Sequence, residues 1–279
     1  MTARLLDGRE LASHIRRELI ARVARLPDPA RLVIIRDGSS EAARLYAAGL
    51  ERAAAATGLP AESIVDPDGN HEDLVDRLNA DPTVAGIVIA QPFADVVAGR
   101  RLVERIDPAK DVDGATPTNA GRLARGEPAF VPATALAVIA TIEAFGIPVA
   151  GQRVVVVGRS AVVGRPVASL LLARDATVVI CHRATRNLAR ETRRAEVLVV
   201  AAGAPRLIGA EMVNASVVVI DCGINAFDGH ITGDVDFDAV APVVRAITPV
   251  PGGIGPVTPM MVLRQTVESA ERMAGAARP

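Results

Sequence analysis

Apolar residues fall at Leu11, Ile15, Leu19 and Val23, and this helical spacing predicts an early helix from about Asp7. Leu32 to Ile35 is a short apolar run of strand length. Ser39 or Ser40 then caps a helix to about Thr57, with Gly58 as its stop. A strand is expected at Ser63–Val65, a helix at Glu72–Leu78 and a strand at Gly86–Ala90. Such alternation implies a parallel α/β sheet. The next stretch, Asp107 to Gly121, is dense in Asp, Pro, Gly and Asn. It suggests a long functional loop or the seam between two domains. Pro132 and Thr134 open a further helix to about Phe145.

After Gly151 the alternation restarts with more continuous apolar runs. Strands are expected at Val154–Val157, Thr177–Cys181, Val197–Ala201 and Val217–Asp221, with a short one at Ile247–Pro249. Helices fit at Val163–Ala173, at Asn187–Arg194 and near Glu211. That is the pattern of a doubly wound nucleotide-binding domain. Pro259 to Ala274 forms a terminal helix.

The chain has 279 residues, half of them hydrophobic, enough for one large or two ordinary domains. Mean hydropathy is high at +0.30. The apolar runs are nevertheless strand-length, far short of the roughly 20 residues of a membrane span. The net charge of -1 removes the electrostatic case for a nucleic-acid binder. Of 31 basic residues only Lys110 is a lysine. Two cysteines, Cys181 and Cys222, end apolar runs and are expected to be buried free thiols. With no C-x-x-C and four histidines, no zinc site is legible. Met1 to Ile20 carries charges throughout and lacks the apolar core of a signal peptide, so a cytoplasmic protein is expected.

Val154-Val-Val-Val-Gly158 runs into Arg159-Ser160-Ala-Val-Val163-Gly164-Arg165-Pro166. A buried strand, a tight glycine turn and a helix start are the setting for pyrophosphate binding. The spacing departs from G-x-G-x-x-G: Ser160 stands at the second glycine and Gly164 falls one residue late. A plain strand-to-helix connection is the alternative. A cofactor with a free ribose 2′-hydroxyl meets an acidic residue at the end of the second strand. Here that strand ends at Cys181-His182-Arg183, with Arg159 also in reach. A guanidinium suits a 2′-phosphate, so NADP is expected over NAD, unless Arg183 is only a solvated loop arginine.

Lys110-Asp-Val-Asp-Gly114, the Gly158–Pro166 loop, Asp221-Cys-Gly-Ile-Asn225, Gly233-Asp234-Val235 and Pro249-Val-Pro-Gly-Gly-Ile-Gly-Pro-Val-Thr258 occur in this order. With them the chain resembles the methylenetetrahydrofolate dehydrogenase/cyclohydrolase family over nearly its whole length. The resemblance implies two α/β domains flanking a cleft, the second a Rossmann-type parallel sheet. It implies a folate-binding domain over 1–130, completed by a helix over 257–279 packing back on it, and an NADP domain over 131–256. A homodimer is also implied. In family terms the catalytic candidates are Tyr46 and Asp113, with Asp113 holding the pterin. Pro251, Gly252, Gly253 and Thr258 line the substrate side. Gly158, Arg159, Ser160, Val163, Gly164, Arg183 and Ile224 contact NADP. A carboxylate such as Asp113 can accept two N–H groups from a pterin edge. The alternative for Asp113 is a loop-capping aspartate.

The family pattern also has Tyr-x-x-x-Lys on the first long helix, and the lysine serves cyclohydrolase chemistry. Here Tyr46 is present, but the i+4 position is Leu50. Arg52 faces elsewhere, and an arginine does not titrate near neutrality. The family glutamine of Val-Gln-Leu-Pro aligns with Ala90 in Val88-Ile89-Ala90-Gln91-Pro92, which turns Gln91 to the opposite face. The family's Pro-Cys-Thr-Pro survives only as Pro132-Ala-Thr-Ala135. Ala43, Tyr46, Leu50 and Ala54 also form an apolar stripe, which normally means a core face. The expectation is an NADP-dependent dehydrogenase acting on 5,10-methylenetetrahydrofolate in one-carbon metabolism, its cyclohydrolase step lost or weak. The alternatives are the full bifunctional enzyme and a non-catalytic folate- or NADP-binding paralogue.

Overall fold

A computed structural model describes residues 3–26, 30–65, 71–227 and 230–276. In chain order the first elements are β1 (Arg4–Leu5), α1 (Gly8–Val23), β2 (Arg31–Arg36), α2 (Glu41–Ala55), β3 (Ala61–Val65), α3 (His71–Ala80) and β4 (Val84–Ile89). Then follow α4 (Val96–Arg105), α5 (Pro117–Ala124), α6 (Ala133–Ala144), β5 (Arg153–Val157), α7 (Gly164–Leu172), β6 (Thr177–Cys181), α8 (Leu188–Thr192) and β7 (Val197–Val200). The last are β8 (Val218–Asp221), β9 (Asn225–Phe227), β10 (His230–Thr232), α9 (Phe237–Val240), β11 (Ala246–Ile247) and α10 (Ile254–Ala276).

The chain divides into two compact units, one of residues 13–132 with 259–279, the other of residues 1–12 with 133–258. The first holds a parallel sheet of order β3-β2-β4. β4 is buried along its whole length, so it carries an unbroken apolar run rather than an alternating one. One sheet face, through Val33, Ile35, Ile87 and Ile89, packs on Leu74, Val75 and Leu78 of α3 and Leu102 of α4. Ser40 caps α2, its hydroxyl accepting from the Ala43 N–H at 3.2 Å. Gly86, on the other face, is a necessity of packing: a Cβ there would lie 2.7 Å from the Val112 side chain.

The second unit holds a six-stranded parallel sheet of order β1-β11-β8-β7-β5-β6. The order reverses at β5, with β6 on one side and β7 on the other, the switch point where doubly wound sheets bind ligands at their C-terminal edge. Val155, Val157, Leu198, Val200 and Val219 lie in its core.

Several sequence expectations differ from this structure. The first twelve residues group with the six-stranded sheet, because β1 pairs with β11 more than 240 positions later. The Asp107–Gly121 stretch is only partly loop: Thr116 caps α5, with Pro117 in its first turn. No helix was expected over α4, which starts on Val96-Val97 with Asp95 as its cap. The β9–β10 hairpin was likewise not foreseen. The terminal helix begins at Ile254 and contains Pro259 in its second turn, rather than starting there. Cys181 and Cys222 are free thiols, the first buried and the second half-buried.

Candidate functional site

In the nucleotide-type unit the chain turns from β5 into α7 through Gly158, whose φ is +128°. A Cβ at Gly158 would lie 2.1 Å from the Ala201 carbonyl oxygen. One at Gly164 would lie 2.2 Å from the Gly158 carbonyl oxygen. Both positions therefore demand glycine, the second for close approach of helix to turn. Ser160, standing where the common fingerprint has glycine, caps the turn. Its Oγ accepts from the Val163 N–H at 3.1 Å and faces the Gly164 N–H at 3.5 Å.

β5 and β6 pair with Val157 opposite Cys181. Arg159 and Arg183 each lie two residues beyond that pair, so the ladder brings them to one edge. Arg183 sits in a tight turn in which the His182 N–H donates to Thr185 Oγ1 at 2.8 Å and the Thr185 N–H donates to the His182 carbonyl at 2.7 Å. Arg159, Arg183 and Arg186 are exposed and none is engaged by another side chain among the described residues. Free guanidinium groups beside a glycine cradle, with no carboxylate on the turn, fit a dinucleotide bearing a 2′-phosphate. Ile224 is 69% exposed at the C-terminal end of β8, an apolar surface left open on the same edge.

The Pro251–Gly253 loop is built in the same unit. Gly252 has a φ of +118°, and its carbonyl accepts from the Gly8 N–H at 2.9 Å. A Cβ at Gly253 would lie 2.7 Å from the Pro249 carbonyl oxygen. Pro251 is exposed and Thr258 half-buried, its hydroxyl donating to the Ile254 carbonyl at 3.2 Å.

In the other unit Tyr46 is half-buried on α2 and Leu50, one turn on, is fully buried. The Tyr46 phenol is pushed well above its ordinary range, first by burial and then by the charge of Asp113. The fold thus brings these two candidates within electrostatic reach. Asp113 is half-buried at the end of the Lys110–Gly114 string. The turn itself is held by Asp111, which is fully buried. Asp111 accepts from the Ala115 and Thr116 N–H groups at 2.9 and 2.8 Å and from Asn119 Nδ2 at 2.8 Å.

Lys110 is consumed by the fold. Its ammonium donates to the carbonyls of Leu78, Asn79 and Asp81 at 3.0, 2.7 and 2.7 Å, over the C-terminal end of α3. Ala90 is fully buried, and the Gln91 side chain accepts from the Phe93 N–H at 3.1 Å within its own loop. Arg36, the last residue of β2, belongs to none of the sequence motifs. Ile35 pairs with Ile89, and the same register carried one step on sets Arg36 beside Ala90. Among the described residues its buried Nε has no hydrogen-bond partner. Strand alternation could have flagged it, as a cation on the face otherwise occupied by Leu32 and Ile34.

Residues 6–113 match the model of the tetrahydrofolate dehydrogenase/cyclohydrolase catalytic domain, and residues 132–274 that of the NAD(P)-binding domain. A curated relative from Parafrankia sp. (strain EAN1pec), the bifunctional protein FolD, is 46% identical over 96% of this chain and 99% of its own. The crystal structure of the bifunctional FolD methylenetetrahydrofolate dehydrogenase/cyclohydrolase from Campylobacter jejuni superposes with a TM-score of 0.93 at 37% identity, covering 96% of this chain and 98% of that one. The Trypanosoma brucei N5,N10-methylenetetrahydrofolate dehydrogenase-cyclohydrolase, solved with NADP and an inhibitor, gives 0.91 at 34% identity, covering 98% and 99%. On both domain models and on near-complete alignments of this kind, the chain belongs to the tetrahydrofolate dehydrogenase/cyclohydrolase family.

Proposed function

We propose that this enzyme oxidises 5,10-methylenetetrahydrofolate with NADP and stops, or nearly stops, at 5,10-methenyltetrahydrofolate. When bound, NADP supplies the nicotinamide that accepts the hydride. The chain's own part in that step is positioning, since the substrate nitrogen can stabilise the developing cation. Gly158, Ser160, Val163 and Gly164 would cradle the pyrophosphate, Arg159 and Arg183 would pair with the 2′-phosphate, and Ile224 would lie against the cofactor. Asp113 would accept from the pterin N–H groups, and Pro251, Gly252, Gly253 and Thr258 would line the substrate side. The Tyr46 hydroxyl, kept protonated, can donate a hydrogen bond but not take a proton.

The observation that carries the loss of hydrolysis is Leu50, fully buried where the family has its lysine. A general base must reach water and titrate near the working pH, and such groups contribute about 10²- to 10⁴-fold. Leu50 and Ala90 have no such atom, Tyr46 is pushed the wrong way, and Lys110 is tied to three carbonyls. The second reading, a fully bifunctional enzyme, draws on the bifunctional names of the relatives. A product analysis separates the two. Methylenetetrahydrofolate turned over with NADP should accumulate as the methenyl compound; prompt conversion to 10-formyltetrahydrofolate would favour the second reading. We also infer a cytoplasmic homodimer, in keeping with the two free thiols and with the family resemblance.

A further inference from the structure

The Gly233-Asp234-Val235 string has no part in the chemistry above, yet it is built with unusual care. Asp234 is fully buried. Its Oδ2 accepts from the Ala202 and Gly203 N–H groups at 2.6 and 2.9 Å. Its Oδ1 accepts from the Ala204 N–H at 2.9 Å and from Asn225 Nδ2 at 2.8 Å. Four donors occupy the four lone-pair sites of one carboxylate, which is what allows it to be buried. Three of the donors are successive backbone N–H groups of the loop that leaves β7 at the C-terminal edge of the sheet.

That loop leads directly to the phosphate turn. The Ala201 N–H donates to the Val157 carbonyl at 2.7 Å, and the Ala201 carbonyl is the group against which Gly158 packs. The fourth donor, Asn225, follows Ile224 and opens β9, in the chain that leaves β8. Asp234 thus ties the connection after β7, which borders the Gly158 turn, to the start of β9.

A second buried carboxylate holds the first. Asp221 accepts from the Gly223 N–H at 2.8 Å, from the Asp234 N–H at 3.1 Å and from the Val235 N–H at 2.9 Å. Its own N–H donates to Thr248 Oγ1 at 2.8 Å, just before the Pro249–Thr258 string. The neighbouring glycines follow from this contact. A Cβ at Gly223 would lie 2.4 Å from the Asp234 nitrogen, and one at Gly233 would lie 1.9 Å from Asp221 Oδ2.

We propose that Asp234 is a positioning residue for the cofactor: its carboxylate clasps the Ala202–Ala204 loop and Asn225, and so fixes the backbone edge against which the dinucleotide is seated. The inference rests on the NADP reading given above. Asp234→Asn places an amide N–H₂ against converging N–H donors. Asn225→Ala removes one donor and leaves the loop bonds in place. The test measures NADP affinity by titration calorimetry, amide hydrogen exchange at 202–204 without cofactor, KM for the folate substrate, and Tm.

For Asp234→Asn the expected result is NADP binding weaker by about ten- to hundredfold, faster exchange at 202–204 and an unchanged folate KM. Asn225→Ala should weaken NADP by a few-fold with its fold intact, and it decides the matter if Asp234→Asn does not fold. Lowered Tm with wild-type NADP affinity in both variants would overturn the proposal, because the clasp would then serve stability alone. Absence of NADP binding by the wild-type protein would instead defeat the cofactor reading. The exchange rates at 202–204 would still report on the clasp.

Discussion

At the residue scale the proposed chemistry turns on three side chains: Leu50, Tyr46 and Asp113. The absence of the lysine was legible in the sequence because it needs only a spacing of four from Tyr46. The nearness of Tyr46 to Asp113 was not, since 67 positions separate them and only the fold brings their charges into reach. Nor could sequence tell which aspartate caps the loop. The structure gives that duty to Asp111. Asp113→Asn should raise the folate KM at nearly constant NADP affinity; a lowered Tm with normal folate binding would make Asp113 structural. Leu50→Lys puts an ammonium where no surface is exposed, and should cost several kcal/mol in urea unfolding. Paired with Ala90→Gln it should gain more methenyl hydrolysis than it does alone. Arg183→Ala should weaken NADP by about ten- to hundredfold and NAD hardly at all. Equal losses for both would remove the 2′-phosphate role.

At the scale of elements, the strands of the nucleotide-type unit were legible because buried parallel strands are continuous apolar runs. Their helices followed from the gaps. The misses have physical causes. α4 opens on two exposed valines, Val96 and Val97, which carry no helix signal. α5 starts at a proline inside an Asp- and Gly-rich stretch, where the same residues also spell a turn. Gly164→Ala should disrupt the strand–turn–helix closure, since its Cβ would meet backbone rather than a movable side chain. Loss of NADP binding together with lowered Tm is expected, checked by calorimetry and thermal unfolding. The Asp221–Asp234 clasp makes a pH prediction. Burial pushes the Asp221 carboxyl up from 3.8 to about 6. Between those values the folded chain keeps a proton that the unfolded chain has lost. This group's contribution to stability is therefore full below the lower value and is lost as pH rises to the upper one, by at most about 3 kcal/mol. Asp221→Asn should flatten that part of the urea-unfolding profile between pH 4 and 6; an unchanged slope would show that Asp221 does not titrate there.

Over the whole molecule, the division into two α/β units was legible from the restart of alternation after Gly151, but its exact course was not. β1 joins the six-stranded sheet by pairing with β11, a contact across more than 240 positions that no local pattern encodes. α1 and α10 each begin in the residues of one unit and continue into those of the other. The family's two domains are thus both present, and the nucleotide-type unit has the close-packed glycine turn from β5 into α7. Leu50 and Ala90, on which the proposed loss of hydrolysis rests, lie in the unit that matches the catalytic-domain model. The most direct test compares two initial rates of the wild-type enzyme under one buffer condition: NADP reduction with 5,10-methylenetetrahydrofolate, and hydrolysis of 5,10-methenyltetrahydrofolate followed at its own absorbance band. Hydride transfer with hydrolysis no faster than the buffer alone is the expected result; hydrolysis keeping pace with hydride transfer would contradict the account.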